Sequence, residues 1–348
     1  MPEPSPPVTV TRRGRLARIG SAFVVLLAVA GYLAVQYVTG GTGAPGCKVV
    51  SGEGDGATYE FTPEQAVNAA TITAVGTARG LPERAVTIAL ATALQESALR
   101  NIGHGDRDSL GLFQQRPSQG WGTPKEIMDP AYAAGKFYDH LVEVPGYTRL
   151  PLTVAAQRVQ RSGFPQAYAK HEPDATLLAA ALTGQSAATL TCEGRPDATR
   201  AEGADAVRAA LARDFGREVF QPAGARVDGA AAPSPSPSPG GADGAEGSDG
   251  RTVTLPVTAD SAAAGRSAAQ RGWQLAHWAV ANASALHIKR VTYAGREWTA
   301  GHTDSRWRPV DGGAEEATEA KKTGETGEAL GTAGAERGAG PVRIVTAP

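Results

Sequence analysis

Glu96 ends a stretch of apolar sequence, Ala85-Val86-Thr87-Ile88-Ala89-Leu90-Ala91-Thr92-Ala93-Leu94, and that placement suggests a chemistry. The run is apolar nearly all round, which predicts a buried central helix reaching about Leu99. A carboxyl at such a helix end lies near the negative end of the helix dipole and against apolar neighbours. Both effects disfavour its charged form, so its pKa is expected to be raised. A carboxylic acid that keeps its proton near neutral pH can give it to the leaving oxygen of a glycosidic bond. Taken alone, such a glutamate also reads as a polar helix end with no role. In the Gly- and Asp-rich loop that follows, Asn101 to Ser109, Asp106 and Asp108 are the only carboxylates. The histidines (104, 140, 171, 277, 287 and 302) show no ligand spacing on one helix face, and the two cysteines are far apart. No metal and no cofactor is expected.

The residues around Glu96 sharpen the reading. Gln95-Glu96-Ser97-Ala98, followed by Gly111-Leu112-Phe113-Gln114 and then Pro117, resembles the signature of soluble lytic transglycosylases, with matching spacings. The intervening Gly103-His104-Gly105-Asp106-Arg107 is similar to the corresponding segment of goose-type lysozymes. Met128-Asp129-Pro130 and the segment after it resemble a further stretch of the same lysozyme-like superfamily. The resemblance covers about 60–185. It implies that Glu96 is the acid and then the base, that Gln114 and Ser97 line sugar subsites, and that peptidoglycan glycan strands are the partner. In transglycosylases the substrate's N-acetyl oxygen assists and the product is a 1,6-anhydro sugar. In inverting lysozymes an aspartate positions water, with carboxyl groups about 6.5–9.5 Å apart, a role open to Asp106 or Asp108. Transglycosylases also carry a tyrosine on a later helix that holds the glutamate. Here the comparable stretch reads Ala156-Gln157-Arg158-Val159-Gln160-Arg161, and Val159 has nothing to donate. Gln157, Gln160 and Tyr168 are the candidate substitutes. Trp121 is placed either to stack on a sugar face or to pack under its loop.

The elements that must position these groups are legible in part. Thr62-Pro63-Glu64-Gln65 is a helix start with a cap, a first-turn proline and the glutamine of a capping box. Further helices are expected over 130–142, 152–161, 172–183 and 203–215, and a helix over 262–286 should precede strands at 288–293 and 296–300 turned at Ala294-Gly295. Ile19 to Val38 is a 20-residue apolar run preceded by Arg12, Arg13, Arg15 and Arg18. It is long enough for a membrane span with residues 1–18 in the cytoplasm and the rest outside; the rival reading is a cleaved signal peptide. On the anchor reading the chain sits in the cell membrane as a single-pass protein. Cys47 and Cys192 flank 60–185, so an oxidising space favours a disulfide between them over two unrelated thiols.

The expected fold is thus a mainly α, lysozyme-like domain after a single transmembrane helix, with a small α+β C-terminal module. The segments run 1–18 cytoplasmic, 19–38 anchor, 39–58 stalk, 59–192 lysozyme-like domain and 193–222 helical connector. A Pro/Gly/Ser-rich linker at 223–250, the module at 251–310 and a disordered tail at 311–348 complete the chain. That module is similar to a small unit on actinobacterial surface proteins, with Trp273, Trp278, Trp298 and Trp307 read as core or as glycan-binding side chains. A formal net charge of −1 and the lack of a basic stripe interleaved with aromatics argue against nucleic acid. Three functions compete: a peptidoglycan glycosidase, a non-catalytic module holding wall glycan or an envelope partner, and a structural spacer.

Overall fold

The Thr62 hydroxyl accepts from the Gln65 backbone N–H while the Gln65 side chain accepts from the Thr62 N–H, and this reciprocal cap starts helix α1, Pro63–Ala78. After Gly80, whose φ of 69° stops the helix, Pro82 leads into α2, Glu83–Ser97. Every residue of α2 from Ala85 to Leu94 is buried, which makes it the central helix of the domain. Around it lie α3 (Pro124–Ile127), α4 (Pro130–Val142), α5 (Leu152–Gln160) and α6 (Glu172–Leu182). Asp129 caps α4 through its carboxylate, so the Asp-Pro pair acts as start signal there too. The computed structural model describes residues 46–163, 165–195, 203–221, 250–257, 265–301, 306–310 and 340–347.

The expected architecture is overturned in several places. Eight α-helices stand among the described residues beside two antiparallel sheets, so the fold is mixed rather than mainly α with a small appendage. No helix among the described residues is long and apolar enough to cross a membrane; the expected span, 19–38, lies outside the described residues. Part of the expected stalk is strand. Cys47–Val50 (β1) pairs with Thr58–Phe61 (β2) on one side and with Leu190–Cys192 (β3) on the other. Cys47 and Val49 alternate into the core, a period-2 pattern too short to stand out from its Gly-rich surroundings. Cys47 lies opposite Cys192 across β1 and β3, with Cα atoms 4.0 Å apart, and the two form the disulfide. That cross-link closes a long loop, which in the chain-entropy model stabilises the fold by up to ~5 kcal/mol.

The second sheet runs in the order β4 (Thr252–Leu255), β8 (Val342–Thr346), β5 (Ile288–Tyr293), β6 (Arg296–Thr299), β7 (Arg308–Pro309). The expected disordered tail therefore supplies the strand between β4 and β5. Val342 and Ile344 are buried and Arg343 is exposed, an alternation swamped by the Gly, Ala and Glu composition of the stretch before it. Residues 311–339 lie outside the described residues, as does most of the expected linker. Helix α8, Ala268–Ala281, is shorter than the expected 262–286 because Ser267 and Gln270 form a capping box at its start.

The two halves share one apolar core. Helix α7, Gly203–Phe215, is part of it rather than a connector, with Val207, Leu211 and Phe215 buried. Its buried Asp214 accepts from Thr71 of α1 at 3.2 Å, from the Trp278 indole of α8 at 2.8 Å and from Arg213 at 2.8 Å. The β1–β3 pairing turns the carbonyls of Leu190 and Cys192 outward from β3, and the indoles of Trp307 and Trp298 donate to them, each at 3.0 Å. An otherwise bare sheet edge is thereby covered. All four tryptophans of the C-terminal half are buried, so they are core residues and not a glycan platform.

Candidate functional site

Helix α2 ends abruptly just after Glu96. Ala98 and Leu99 both take left-handed backbone angles, φ 53° and 57°, a conformation that costs a non-glycine residue roughly 1–2 kcal/mol. Neighbours hold the turn in place. Gln65 of α1 donates to the Ala98 carbonyl and Asn68 to that of Leu99, each at 2.8 Å. Of the eight non-glycine residues with positive φ among the described residues, five fall on segments around Glu96: Ala98, Leu99, Arg107, Gln114 and Arg161. Strain gathered in this way marks a place whose geometry the rest of the fold enforces.

The Gly111-Leu112-Phe113-Gln114 segment is pinned against that helix end. The Ser97 hydroxyl donates to the Leu112 carbonyl at 2.8 Å, and the Gln160 amide donates to that of Phe113 at 2.7 Å. Phe113 stacks on Phe137 of α4, with ring centroids 4.7 Å apart. Leu110 and Gln115 bond each other's backbone, and Gln115 donates to Ala133 at 3.0 Å. Gly111 takes φ 74°, and a Cβ there would press on the Ile127 carbonyl, so glycine is required.

Glu96 itself is half-buried, and Tyr168 donates its hydroxyl to Glu96 Oε1 at 2.7 Å. Gln160 also hydrogen-bonds the carboxyl. Burial pushes the Glu96 pKa up, and the Tyr168 and Gln160 bonds offset part of that rise. Burial and the neighbouring carboxylate hold the Tyr168 phenol well above its ordinary value, so it stays a donor. Of the three substitutes open in the sequence, the structure uses two. Gln157 instead donates to the Ser162 carbonyl at 2.8 Å. Nearby, His171 meets Gln95 at 3.2 Å, and burial lowers its pKa.

Beside this carboxyl lies a cleft of about 480 Å³. Gln114, Trp121, His140, Arg158, Gln160 and Arg161 are among its lining residues. Glu96 is not in that lining, but Gln160, which neighbours its part-exposed carboxyl, is. Trp121 is half-buried, with its ring 4.4 Å from that of His140, and thus both packs and lines the cleft.

The other expected site residues divide. Gln114 reaches the cleft, and its amide also donates to the carbonyls of Gly111 at 3.2 Å and His104 at 3.4 Å, tethering the 103–105 loop. Ser97 does not line it. It is buried, and both of its hydrogen bonds run to backbone carbonyls, so it positions the Leu112 turn instead of touching sugar. Asp106 is exposed on its loop. Asp108 is bound to Arg116 at 2.7 Å and to the Ser118 N–H at 2.9 Å, which hold its carboxyl well below the usual carboxylate range. That carboxylate is engaged in structure. Arg158, Arg161 and His140 were not singled out for the site from sequence. The available signal was the three-residue spacing of the arginines around Gln160 at a helix end. Among the described residues, no cluster of His, Cys, Asp and Glu could hold a metal ion.

A protein-family profile described as the C-terminal domain of VldE matches residues 210–320. The match begins inside α7 and takes in β4, α8, β5, β6 and β7, and so supports a C-terminal unit with relatives elsewhere. It leaves out Glu96 and the cleft. No curated protein matches the chain.

Proposed function

We propose that this protein is a peptidoglycan glycosidase that cleaves the β-1,4 bond between MurNAc and GlcNAc, with Glu96 as its acid. The observation that carries the reading is the hydrogen bond from Tyr168 to Glu96 beside a polar cleft. A carboxyl raised in pKa by burial, yet fixed in direction by a phenol, suits a group that must first give a proton and then take one back. The Gln95-Glu96-Ser97 and Gly111-Leu112-Phe113-Gln114 blocks, which resemble those of soluble lytic transglycosylases, support the same role.

In the reaction proposed, the Glu96 carboxylic acid protonates the bridging oxygen as the C1–O bond breaks. The substrate's own N-acetyl oxygen stabilises the positive charge developing at C1. The Glu96 carboxylate then removes the proton from the C6 hydroxyl as that oxygen bonds to C1. The product is a 1,6-anhydro sugar, and the acid is regenerated. This outcome is favoured over hydrolysis because Tyr168 takes the place of the transglycosylase tyrosine, while Asp106 is exposed and Asp108 is committed to Arg116. The disulfide fits an oxidising, extracytoplasmic compartment, where the wall is found.

The test is digestion of purified cell-wall sacculi by the full chain, with products read by mass spectrometry. Anhydro-ended fragments are expected, and Glu96→Gln, which keeps the shape but loses the proton, should release them at least about 10²-fold more slowly. Unchanged clearance by Glu96→Gln would remove Glu96 from the chemistry. A wild type that sediments with sacculi without cutting them would replace the enzyme by a glycan-binding module.

A further inference from the structure

The cleft beside Glu96 carries a charge distribution that a neutral sugar polymer does not need. Arg158 is on the last turn of α5, and Arg161 follows as its cap residue with φ 52°. Three residues apart, they flank Gln160, the side chain that bonds Glu96. Both are exposed and both line the cleft. Neither has an ion-pair partner among the described residues, in contrast to Arg116, which also lines the cleft but is bound to Asp108 at 2.7 Å. The carboxylate lining the cleft is that of Glu143, and it lies 4.0 Å from His140. Trp121 supplies an aromatic surface in the same cleft.

Two exposed guanidiniums beside an aromatic ring make a surface for a chain that is sugar on one side and carboxylate on the other. Guanidinium forks match carboxylates in geometry as well as charge. The cationic end of α5 is also where the helix dipole favours positive side chains, but that explains their sign and not their position on the cleft.

We infer that Arg158 and Arg161 select a carboxylate-bearing glycan strand, reading the free carboxylates of the peptide stems on the wall polymer. The inference rests on the glycosidase reading for its substrate and adds the determinant of specificity. A chitin-type chain, with the same backbone but no carboxylates, is the polymer the cleft discriminates against.

The experiment compares native sacculi with sacculi whose carboxyl groups have been converted to amides, using the full chain. Wild-type kcat/KM should favour the native wall about ten-fold, the product of two exposed guanidinium–carboxylate pairs. The preference should shrink at high salt. In the Arg158→Gln/Arg161→Gln variant that ratio should fall close to one, and Arg158→Lys/Arg161→Lys, which keeps the charge but not the fork, should restore only part of it. Sedimentation of the Glu96→Gln chain with both walls reads recognition without turnover. A wild type that cuts or binds both walls equally overturns the inference while leaving the glycosidase reading intact. A wild type that cuts neither wall, but binds the native one in an Arg-dependent way, overturns the enzyme and keeps the selection.

Discussion

Replacing Tyr168 by Phe removes one oxygen and tests how the fold sets the state of Glu96. The hydroxyl lost donates to Glu96 Oε1 at 2.7 Å and sits on a fully buried ring. A hydrogen bond to a charged group contributes about 1.5–3 kcal/mol, and more to the carboxylate than to the neutral acid. Allowing for the half-exposed carboxyl, the lower end applies, and the Glu96 pKa should climb further. The sign follows from linkage. Burial already raises the folded pKa above its unfolded value, so the stability tied to this group is fully present below the unfolded pKa and is lost as pH rises through the folded one. The variant should therefore melt close to the wild type near pH 4 and fall behind by about 2–4 °C above pH 7. In turnover assays, the limb where activity declines with rising pH should move to higher pH while the plateau drops. A melting difference that is the same at both pH values, with an unmoved limb, would mean that Tyr168 fills space and does not hold the charge.

The remaining expectations concern the frame. His277 is buried with its pKa pushed down to about 4 by desolvation, so its contribution is present above its ordinary value near 6.5 and is lost as pH falls toward 4. That window is worth on the order of 3 kcal/mol, and a His277→Gln chain should show a flatter decline of urea midpoint between pH 7 and pH 4.5. Trp298→Phe keeps the ring but strips the donor from the Cys192 carbonyl, and should cost about 1–3 kcal/mol in denaturant titrations.

Most helices could be read in advance because their signals are local. Thr62 and Gln65 cap α1 as the sequence says, Asp129-Pro130 opens α4, and the 203–215 helix has the expected bounds. The strands β1, β4 and β8 were not read, because each is four or five residues long and pairs with sequence far away. Short alternation next to glycine-rich stretches carries little information until a partner strand exists. Glu96 was legible through its apolar helix. Its partner was not, since Gln157, Gln160 and Tyr168 all offer a donor and only the packing of the 165–171 turn against α2 decides among them. Ser97 misled for the opposite reason. A hydroxyl next to an acid looks like a sugar contact, yet its place on the helix turns it inward to the Leu112 carbonyl.

The placement of β8 between β4 and β5 governs the timing of assembly. The β5–β6 hairpin closes locally at Ala294-Gly295, but Leu255 of β4 finds its neighbour only when Val342 has been made. The free-energy cost of joining such distant ends grows slowly with length, whereas the delay does not shrink. During synthesis, facing edges of β4 and β5 stand open, with unpaired amides and carbonyls available to other chains. A nick anywhere between Pro309 and Val342 before that moment separates the sheet from its inserted strand. A bodyguard that shields this gap in nascent chains, or a protease that samples it, would act on the molecule while it is still incomplete and lose its hold once the strand slots in.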